Sequence, residues 1–535
     1  MFASGSVGGQ ARRMTETPNG AQALIRTLVD SGVEVCFTNP GTSEMHFVAA
    51  LDDVPEMRGI LGLFEGVVTA AADGYARMAG KPAATLLHLG PGLGNGLANL
   101  HNARRARTPM VNIVGDHATY HKQYDAPLES DIDSIARGVP GWFRRSMSAD
   151  EVARDAADAV AAAVSAPGQV ATLVLPADTC WLPAADGAVA PSAPVAIPPV
   201  DEHALERIAD LLRSDASCAL LVGGRVLSER GTRVAAAVAA ASDAKLLCET
   251  FPSRQRRGAG IPAVERMIYL AEFAQMQLAG VEHLILVDTV DPVSFFAYPD
   301  KPSRIAPDGC EIVTLSESTG DPVEALDALA ALLGAEEVEG PAPSRPPAPE
   351  GPIDTNSLAQ AIAATLPDDA VVVDEANTSG LSLQAATAGA SPHDWLYLTG
   401  GAIGIGLPLA TGAAVASPDR PVLCVEADGS AMYTFQALWT MAHENLDITI
   451  VIANNGRYSV LDMELDRVGA QAGGPKAREM FDLTGPDIDF PALAQGLGVP
   501  GVRVETAESL ASELERAYAE PGPHLIDAVL PPMTF

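Results

Sequence analysis

The sequence predicts an α/β protein composed of three doubly wound parallel-sheet domains. Two segments are rich in Pro, Ala and Gly and lack a periodic apolar face, which is typical of linkers. In each of the three pieces that these linkers delimit, apolar runs of four to six residues alternate with helical patterns. Runs that are apolar on both faces and separated by helices are typical of parallel sheets. The predicted divisions are a flexible N-terminal tail at 1–17, domains at 18–184, 203–333 and 355–535, and linkers at 185–202 and 334–354.

Four predicted strands fall in each domain. In chain order they are VEVCF, AATLLHL, PMVNIVG and ATLVLPA, then CALLVGG, AKLLCE, HLILVD and EIVTL, then AVVVDE, PVLCVEAD, ITIVIANN and PHLIDAVL. A doubly wound fold supports many chemistries, so the function has to be inferred from particular residues.

Composition excludes several classes of protein. The 535 residues are 47% hydrophobic, enough for large cores, and the formal net charge of −34 disfavours nucleic acids and anionic membranes as partners. The longest apolar runs are shorter than the ~18 residues that a membrane helix needs. The first residues lack the apolar core of a signal peptide. A phosphate-bearing ligand remains possible, and the charge predicts that it would arrive with a cation.

Cysteine usage indicates a reducing compartment. The six cysteines are scattered, mostly within apolar strand-like runs, and none forms a CxxC pair. We therefore expect buried thiols and a cytoplasmic location rather than a disulfide or zinc framework.

The segment from 426 to 455 places polar groups at two neighbouring strand ends. The strand PVLCVEAD ends at Asp428, a helix SAMYTFQALWTMAHENL follows, and the next strand ends at Asn455, 27 positions after the aspartate. A right-handed crossover puts the two strands side by side, so both side chains reach the carboxyl edge of the sheet. Carboxylate and amide oxygens suit Mg²⁺, and the N-terminus of a helix starting after Gly429-Ser430 suits an anion. The segment predicts a clamp for Mg²⁺ and a diphosphate.

Taken alone, an Asp-Gly-Ser triplet more often caps a helix, and paired asparagines often form a turn. Their combination at this spacing resembles the signature of the thiamine-diphosphate (ThDP)-dependent decarboxylase/acetolactate synthase superfamily, with Ala427 in place of the first glycine of Gly-Asp-Gly. The resemblance implies that Asp428, Asn455 and the carbonyl of Arg457 hold Mg²⁺, with Gly429 and Ser430 beside the cofactor.

Glu65, in LFEGVVTAAADGYARMAG, is the candidate acid for the cofactor's aminopyrimidine. It lies beside Phe64 and a Gly/Val/Ala-rich helix with no basic residue nearby. An apolar setting favours the protonated form of a carboxyl group and so keeps a proton available for exchange. Read from residues alone, Glu65 could equally be an acid that stabilises a helix N-terminus. It resembles the catalytic glutamate of the superfamily's pyrimidine-binding domain.

The third domain carries further positions implied by the resemblance. Ile403, in GGAIGIGLP, resembles the bulky residue that supports the bent cofactor, although the run could also be a glycine cluster at a helix start. Asn377 and Thr378, in DEANTSG, resemble contacts on the diphosphate side. The three domains then correspond to pyrimidine-binding, central and diphosphate-binding domains. The resemblance also implies a homodimer or homotetramer whose active sites lie between subunits.

The chain resembles two branches of the superfamily, which catalyse different reactions. FTNPGTSEMHF and LLHLGPGLGNGLANLHNA look most like benzoylformate decarboxylase, with Thr42 in place of an active-site serine and His88 matching a proton-relaying histidine. His88 could instead only cap its strand, at the entry to a predicted glycine loop. A second family histidine would fall near Phe296, so half of the relay is absent.

The whole chain also resembles acetolactate synthase large subunits, which act on 2-oxo acids and join the product to a second carbonyl compound. Asp116 stands where that branch has glutamine, Glu464 lies near the position of its tryptophan, and no flavin site is evident. We predict an acetolactate synthase-like ThDP- and Mg²⁺-dependent enzyme for 2-oxo acids. The alternatives are a benzoylformate-type decarboxylase and a catalytically silent ThDP-binding subunit.

Val460 and Leu461 would line the substrate side by resemblance, which favours a modest apolar group over a sugar phosphate. Four aromatic residues in one loop are secondary candidates for which surface roles are as reasonable as catalytic ones. They are His117, Tyr120, His121 and Tyr124.

Overall fold

Three β-sheets with helices on both faces form the fold in the computed structural model, which describes residues 17–139, 141–470 and 473–532. Alternate residues of one strand pack into different apolar clusters, as Phe37 and Cys36 do in the first sheet. This two-sided packing confirms the predicted α/β class with doubly wound sheets. The predicted tail lies outside the described residues except for position 17.

The first sheet is entirely parallel, in the order β2-β1-β3-β4-β6-β5. Its strands are β1 (Val35–Asn39), β2 (Arg58–Leu61), β3 (Ala83–Leu87), β4 (Met110–Asp116), β5 (Trp142–Arg145) and β6 (Val170–Pro176). Its helices are α1 (Gly20–Asp30), α2 (Met45–Ala50), α3 (Glu65–Ala79), α4 (Leu89–Arg105), α5 (Ile132–Arg137), α6 (Ala149–Val164) and α7 (Ala177–Trp181).

The central sheet has five parallel strands in the order β10-β8-β7-β11-β12. The strands of this part of the chain are β7 (Cys218–Val222), β8 (Lys245–Cys248), β9 (Arg254–Arg257), β10 (Glu265–Arg266), β11 (His283–Val287) and β12 (Glu311–Ser316). The helices are α8 (Glu202–Arg213), α9 (Glu229–Ser242), α10 (Ala271–Gln277) and α11 (Pro322–Leu333).

The third sheet has seven strands in the order β17-β18-β16-β15-β13-β14-β9. Its strands are β13 (Val371–Glu375), β14 (His393–Tyr397), β15 (Val422–Ala427), β16 (Ile448–Asn454), β17 (Gly501–Val504) and β18 (His524–Val529). Its helices are α12 (Thr355–Thr365), α13 (Leu383–Ala386), α14 (Gly406–Ala416), α15 (Asp428–Thr434), α16 (Ala437–His443), α17 (Ser459–Arg467), α18 (Pro475–Glu479), α19 (Phe490–Gly496) and α20 (Ala507–Ala519).

One strand departs from the purely parallel prediction. β9 leaves the central part of the chain and pairs antiparallel with β14 at the edge of the third sheet. Its sequence, RQRR, has no apolar run, so the sequence pattern does not predict a strand here. The strand forms because its arginines pair with acceptors on the third domain. Arg254 Nε, for example, lies 2.7 Å from Asp394. The strand therefore ties two domains together.

Helices α3 and α14 form the tightest junction between the first and third domains. A Cβ on Gly74 would lie 2.1 Å from the carbonyl oxygen of Leu409, and one on Gly412 would lie 1.8 Å from that of Ala71. Because higher numbers on one helix meet lower numbers on the other, the two helices run antiparallel. Glycine at these positions is what allows the backbones to approach so closely.

The six cysteines are free and buried, as the sequence predicts. Within the described ranges, every helix is too short or too polar to cross a membrane.

Candidate functional site

Asp428 and Asn455 lie next to each other at the carboxyl edge of the third sheet. β15 and β16 are parallel neighbours with Ala427 opposite Ala453, so the residues that follow each strand meet at one edge. The Asp428 carboxylate accepts hydrogen bonds from the N–H groups of Gly429 and Gly456, each at 2.7 Å. The structure thus brings the two predicted ligands together.

The electrostatics of Asp428 fit a bound cation. The residue is 3% exposed, and it makes no ion pair with an Arg, Lys or His side chain in the described ranges. Burial raises the pKa of its carboxyl group to about 6, although backbone N–H groups oppose this shift. A divalent cation would supply the missing positive charge, and carboxylate and amide oxygens are ligands that Mg²⁺ prefers. The donor set fits this metal.

Arg457 contributes through its backbone rather than its side chain. Its guanidinium pairs with Asp462, and its N–H donates to Asn455 Oδ1 at 3.0 Å. That bond orients the Asn455 amide. The Arg457 carbonyl accepts a hydrogen bond from Ser459 N–H at 2.9 Å, and its second lone pair could join Asp428 and Asn455.

A short 3₁₀ turn from Asn377 to Gly380 joins the two halves of this edge. Asn377 Nδ2 donates to Ser430 Oγ at 3.1 Å, and Asn455 Nδ2 donates to Ser379 Oγ at 3.4 Å. Thr378 is half-buried between them along the chain. The predicted diphosphate contacts therefore cluster around the predicted metal ligands.

The helix after Asp428 differs from the prediction in two ways. α15 begins at Asp428 itself rather than after Gly429-Ser430, and the predicted single helix is two helices, interrupted at Phe435 and Gln436. Gly429 lies under the ring of Tyr458, which a Cβ would approach to 2.3 Å. Because the helix starts early, the Asp428 carboxylate lies in its first turn, where the free N–H group of Gly429 helps to fix it.

The loop that carries Ile403 is held by a carboxylate that the sequence did not reveal. Glu375, buried at the end of β13, accepts hydrogen bonds from Gly404 N at 2.7 Å and Gly406 N at 2.5 Å. Burial raises its pKa to about 7, and the neighbouring Glu426 carboxyl is also shifted upward, chiefly by burial. Ile403 itself is half-buried. The only signal was an acid at the end of an apolar run, which the adjacent Asp374 shares.

Glu65 is the first residue of α3 and is 8% exposed. One carboxylate oxygen accepts a hydrogen bond from Asn95 Nδ2 at 2.9 Å. The other lies beside Gly92, where a Cβ would approach it to 3.1 Å. Within the described ranges it makes no ion pair, in keeping with the absence of basic residues around it in the sequence.

His88 and Thr42 share the carboxyl edge of the first sheet with Glu65. They follow β3 and β1, which are parallel neighbours. His88 precedes α4, so the glycine-rich run after it is a helix and not the predicted loop. Glycine at Gly92 and Gly96 lets α4 pack closely on α3, which explains the composition. Thr42 is exposed and begins a 3₁₀ turn.

A further acid, Glu44, lies under His88. Its Oε2 is 2.8 Å from His88 Nδ1, and it is 2% exposed. Sequence reasoning missed it, because an isolated Ser-Glu after a Pro-Gly turn usually caps a helix.

The secondary candidates in the first domain follow the end of β4, where Gly115 lies against Glu44. Asp116 is fully buried and pairs with Lys122 Nζ at 3.0 Å and with Arg145. These partners indicate a structural ion cluster. The ring of His117 lies 5.4 Å from that of His121, which in turn contacts Tyr124. Tyr120 is 62% exposed and Tyr124 69%.

The residues predicted on the substrate side lie on α17, which contacts the central domain. Val460 and Leu461 are at the start of α17, half-buried and exposed respectively. Glu464 on the same helix accepts a hydrogen bond from Tyr269 OH at 3.2 Å, so it is directed at the central domain. Phe296 is 52% exposed and packs edge-on against Phe295.

The first and third parts of the chain touch close to both groups of residues. Leu61, just before Glu65, accepts a hydrogen bond from Thr440 at 2.9 Å. Asn102 Nδ2, on α4, donates to the carbonyl oxygen of Ala402, next to Ile403, at 2.8 Å.

Comparison with known proteins bears on both ends of the chain. Residues 18–136 match the family described as "Thiamine pyrophosphate enzyme, N-terminal TPP binding domain". Residues 379–528 match "Thiamine pyrophosphate enzyme, C-terminal TPP binding domain". The first match includes Glu65 and His88, and the second includes Asp428 and Asn455.

Individual relatives cover nearly the whole chain. A Mycobacterium tuberculosis protein provisionally named acetolactate synthase large subunit IlvX is 59% identical, over 96% of this chain and 99% of its own. Benzoylformate decarboxylase of Pseudomonas aeruginosa is 29% identical over 93% of this chain and 96% of its own. Among solved structures, the 4-hydroxybenzoylformate decarboxylase of Rhodococcus jostii superposes with a TM-score of 0.84 at 24% identity, covering 96% and 99% of the two chains.

Proposed function

Because the chain belongs to the thiamine pyrophosphate enzyme family, we propose that it is a Mg²⁺- and ThDP-dependent enzyme that decarboxylates 2-oxo acids. The observation that carries the proposal is the buried Asp428 carboxylate, which lies beside Asn455 and pairs with no cationic side chain among the described residues. Bound ThDP would supply a nucleophilic carbon to add to the 2-oxo group and a cationic ring to take up the electrons released when CO₂ leaves.

The residues of the third domain would bind the cofactor's charged end. Asp428, Asn455 and the Arg457 carbonyl hold Mg²⁺, which offsets the charge of a diphosphate in a chain of net charge −34. Asn377, Thr378, Gly429 and Ser430 surround that position, and Ile403 supports the rings from a loop that Glu375 holds.

The residues of the first domain would handle protons. Glu65 exchanges a proton with the aminopyrimidine, in a setting with Asn95 as its hydrogen-bond donor. His88 and Thr42 face the substrate from neighbouring strand ends, and Val460 and Leu461 complete an apolar side.

We place the enzyme with the acetolactate synthase-like members, in which the product of decarboxylation is either protonated or joined to a second carbonyl compound. Phe296 cannot relay a proton, which favours ligation over protonation. The second candidate is a benzoylformate-type decarboxylase. It is supported by His88 at the strand end and by the decarboxylase relatives.

Assembly and location complete the proposal. The resemblance to the superfamily supports a homodimer, or a homotetramer of dimers, with each active site shared between two subunits. The pyrimidine-binding, central and diphosphate-binding domains are assigned to 18–184, 203–333 and 355–535. Six buried free cysteines suit the cytoplasm.

A binding experiment tests the cofactor assignment. Asp428→Ala should lose measurable ThDP binding in the presence of Mg²⁺ when followed by calorimetry, whereas Glu65→Gln should bind ThDP but exchange its C2 proton orders of magnitude more slowly. Asp466→Ala, an exposed acid on α17, is the matched control. Wild-type affinity in Asp428→Ala would contradict the clamp.

A substrate panel tests the reaction. Purified protein with ThDP and Mg²⁺ should release CO₂ from at least one 2-oxo acid, and product analysis then separates ligation from aldehyde release. Binding of ThDP without turnover of any 2-oxo acid, and without C2 exchange, would favour the catalytically silent subunit.

A further inference from the structure

Glu44 is the buried group of the first sheet edge that the proposed function leaves without a role. It ends the 3₁₀ turn from Thr42 and lies against His88, the proposed proton-transfer residue. The role inferred for Glu44 rests on the proposed function, because that function gives His88 a substrate to act on.

The contacts of a single carboxylate oxygen identify which nitrogen of His88 carries the proton. Glu44 Oε2 accepts a hydrogen bond from the backbone N–H of Gly41 at 2.8 Å. The same oxygen lies 2.8 Å from His88 Nδ1. When Glu44 is ionised, both of its oxygens can only accept, so a neutral imidazole at this distance donates from Nδ1.

The ionised carboxylate is the state in which Glu44 fixes the tautomer. Burial raises the pKa of Glu44, while the positive charge and hydrogen bond of His88 and the backbone hydrogen bonds lower it. Among the described residues the second oxygen, Oε1, is buried beside Gly115 without a hydrogen-bond partner. Oε2 is thus the oxygen that accepts from both Gly41 and His88.

Two glycines make room for the pair. A Cβ on Gly41 would lie 2.2 Å from His88 Nδ1, and one on Gly115 would lie 1.7 Å from Glu44 Oε1. Any other residue at these positions would displace one member of the pair. The backbone is thus shaped around a carboxyl–imidazole contact at the edge where Glu65 also lies.

We propose that Glu44 is a positioning residue that holds His88 in its Nδ1–H form, leaving Nε2 as the nitrogen that exchanges protons with the substrate. The His88 side chain is 22% exposed, so the ring is held but not sealed from the site. A fixed tautomer matters because a general base must present its lone pair to the reacting proton.

The tautomer can be measured without substrate. In protein labelled with ¹⁵N-histidine, at a pH where the ring is neutral, the nitrogen shifts of His88 should show protonated Nδ1. His88→Gln identifies the signals by their loss. Glu44→Ala should lose the preference for Nδ1–H, and Glu44→Gln should keep it, because its carbonyl oxygen can replace Oε2. A wild-type ring protonated on Nε2, or an unchanged tautomer in Glu44→Ala, would overturn the proposal.

Turnover gives the second measurement. Glu44→Ala should bind ThDP with wild-type affinity while kcat falls on the order of 10²-fold, and Glu44→Gln should recover most of the rate. Glu56→Ala, an exposed acid of the same domain, is the control. If no 2-oxo acid is turned over but the tautomer responds as described, the proposed function fails and the role of Glu44 stands.

Discussion

Buried acids in this protein divide into two groups according to their partners. Asp73, Asp394 and Asp527 each pair with an arginine, which compensates their charge and ties elements together. Asp428 and Glu65 have no arginine or lysine partner in the described ranges, although both are less than 10% exposed. A buried carboxyl group without compensation is costly unless a ligand or a proton completes it. Glu375 is also buried without such a partner in the described ranges, and the N–H groups of Gly404 and Gly406 complete it instead.

His393 provides a pH-dependent test at the scale of one residue. The ring is fully buried at the start of β14, with Nδ1 2.8 Å from the Ser391 carbonyl and Arg257 donating to Nε2 at 3.3 Å. Burial, with a contribution from Arg257, lowers the pKa of His393 to about 4, from 6.5. Between these two pH values the unfolded chain binds a proton that the folded protein does not, so stability falls as pH decreases through this window.

The magnitude is measurable by comparison with a variant. Acidification to about pH 5 should cost wild type on the order of 2 kcal/mol more than His393→Gln, which cannot take up this proton. Thermal unfolding of both proteins at neutral and acidic pH gives the difference, in which the other titrating groups cancel. Equal losses in the two proteins would show that His393 is already protonated when folded.

At the scale of elements, the contact between α3 and α14 depends on glycine. A methyl group on Gly412 would meet the Ala71 carbonyl at 1.8 Å, which the backbones can relieve only by moving apart. Gly412→Ala should therefore destabilise by about 3 kcal/mol or more. The apparent melting temperature should fall by several degrees in a scanning experiment.

The control for this prediction is another helical glycine. Gly496, at the end of α19, has nothing within 4 Å of its Cβ position. Gly496→Ala should be neutral or stabilise by up to ~1 kcal/mol through helix propensity. A similar melting temperature for both variants would mean that α3 and α14 can separate without cost.

The elements that the sequence predicts best are those whose apolar runs are buried on both sides. All twelve predicted strands are present, among them the pair that leads to Asp428 and Asn455. Six strands were not predicted, namely β2, β5, β9, β10, β14 and β17. β2 and β5 are short edge strands that contain arginines, such as Arg58 and Arg145, and β14 begins with the polar pair His393-Asp394. The pattern of apolar residues along the sequence does not reveal strands that are stabilised by residues distant in the chain.

The site shows the same division. Asp428 and Asn455 could be predicted because a crossover of known hand fixes which strand ends meet. Glu375 and Glu44 could not, because their roles depend on loops that return to them, at Gly404 and at His88. The helical state of the run after His88 was also missed, since its glycines lower helix propensity and only packing on α3 compensates.

At the scale of the whole molecule, we propose that the chemistry uses two chains, as the resemblance to the superfamily implies. A cofactor that touches both Glu65 and the Asp428 clamp would then lie between two subunits. A two-fold dimer would then contain two equivalent sites, each made of Glu65 from one subunit and Asp428 from its partner.

Mixed dimers test this arrangement directly. Glu65→Gln and Asp428→Ala should each be inactive alone, because every site then lacks one of its two groups. When both variants are co-expressed and pair at random, half of the dimers contain one subunit of each kind. In these, one site combines both changes and the other combines an intact Glu65 with an intact clamp, so about one quarter of wild-type activity should return. The rate of C2 proton exchange in bound ThDP provides the measurement whatever the substrate proves to be. If each site were built within one chain, every site would still carry one of the changes, and mixing would restore nothing.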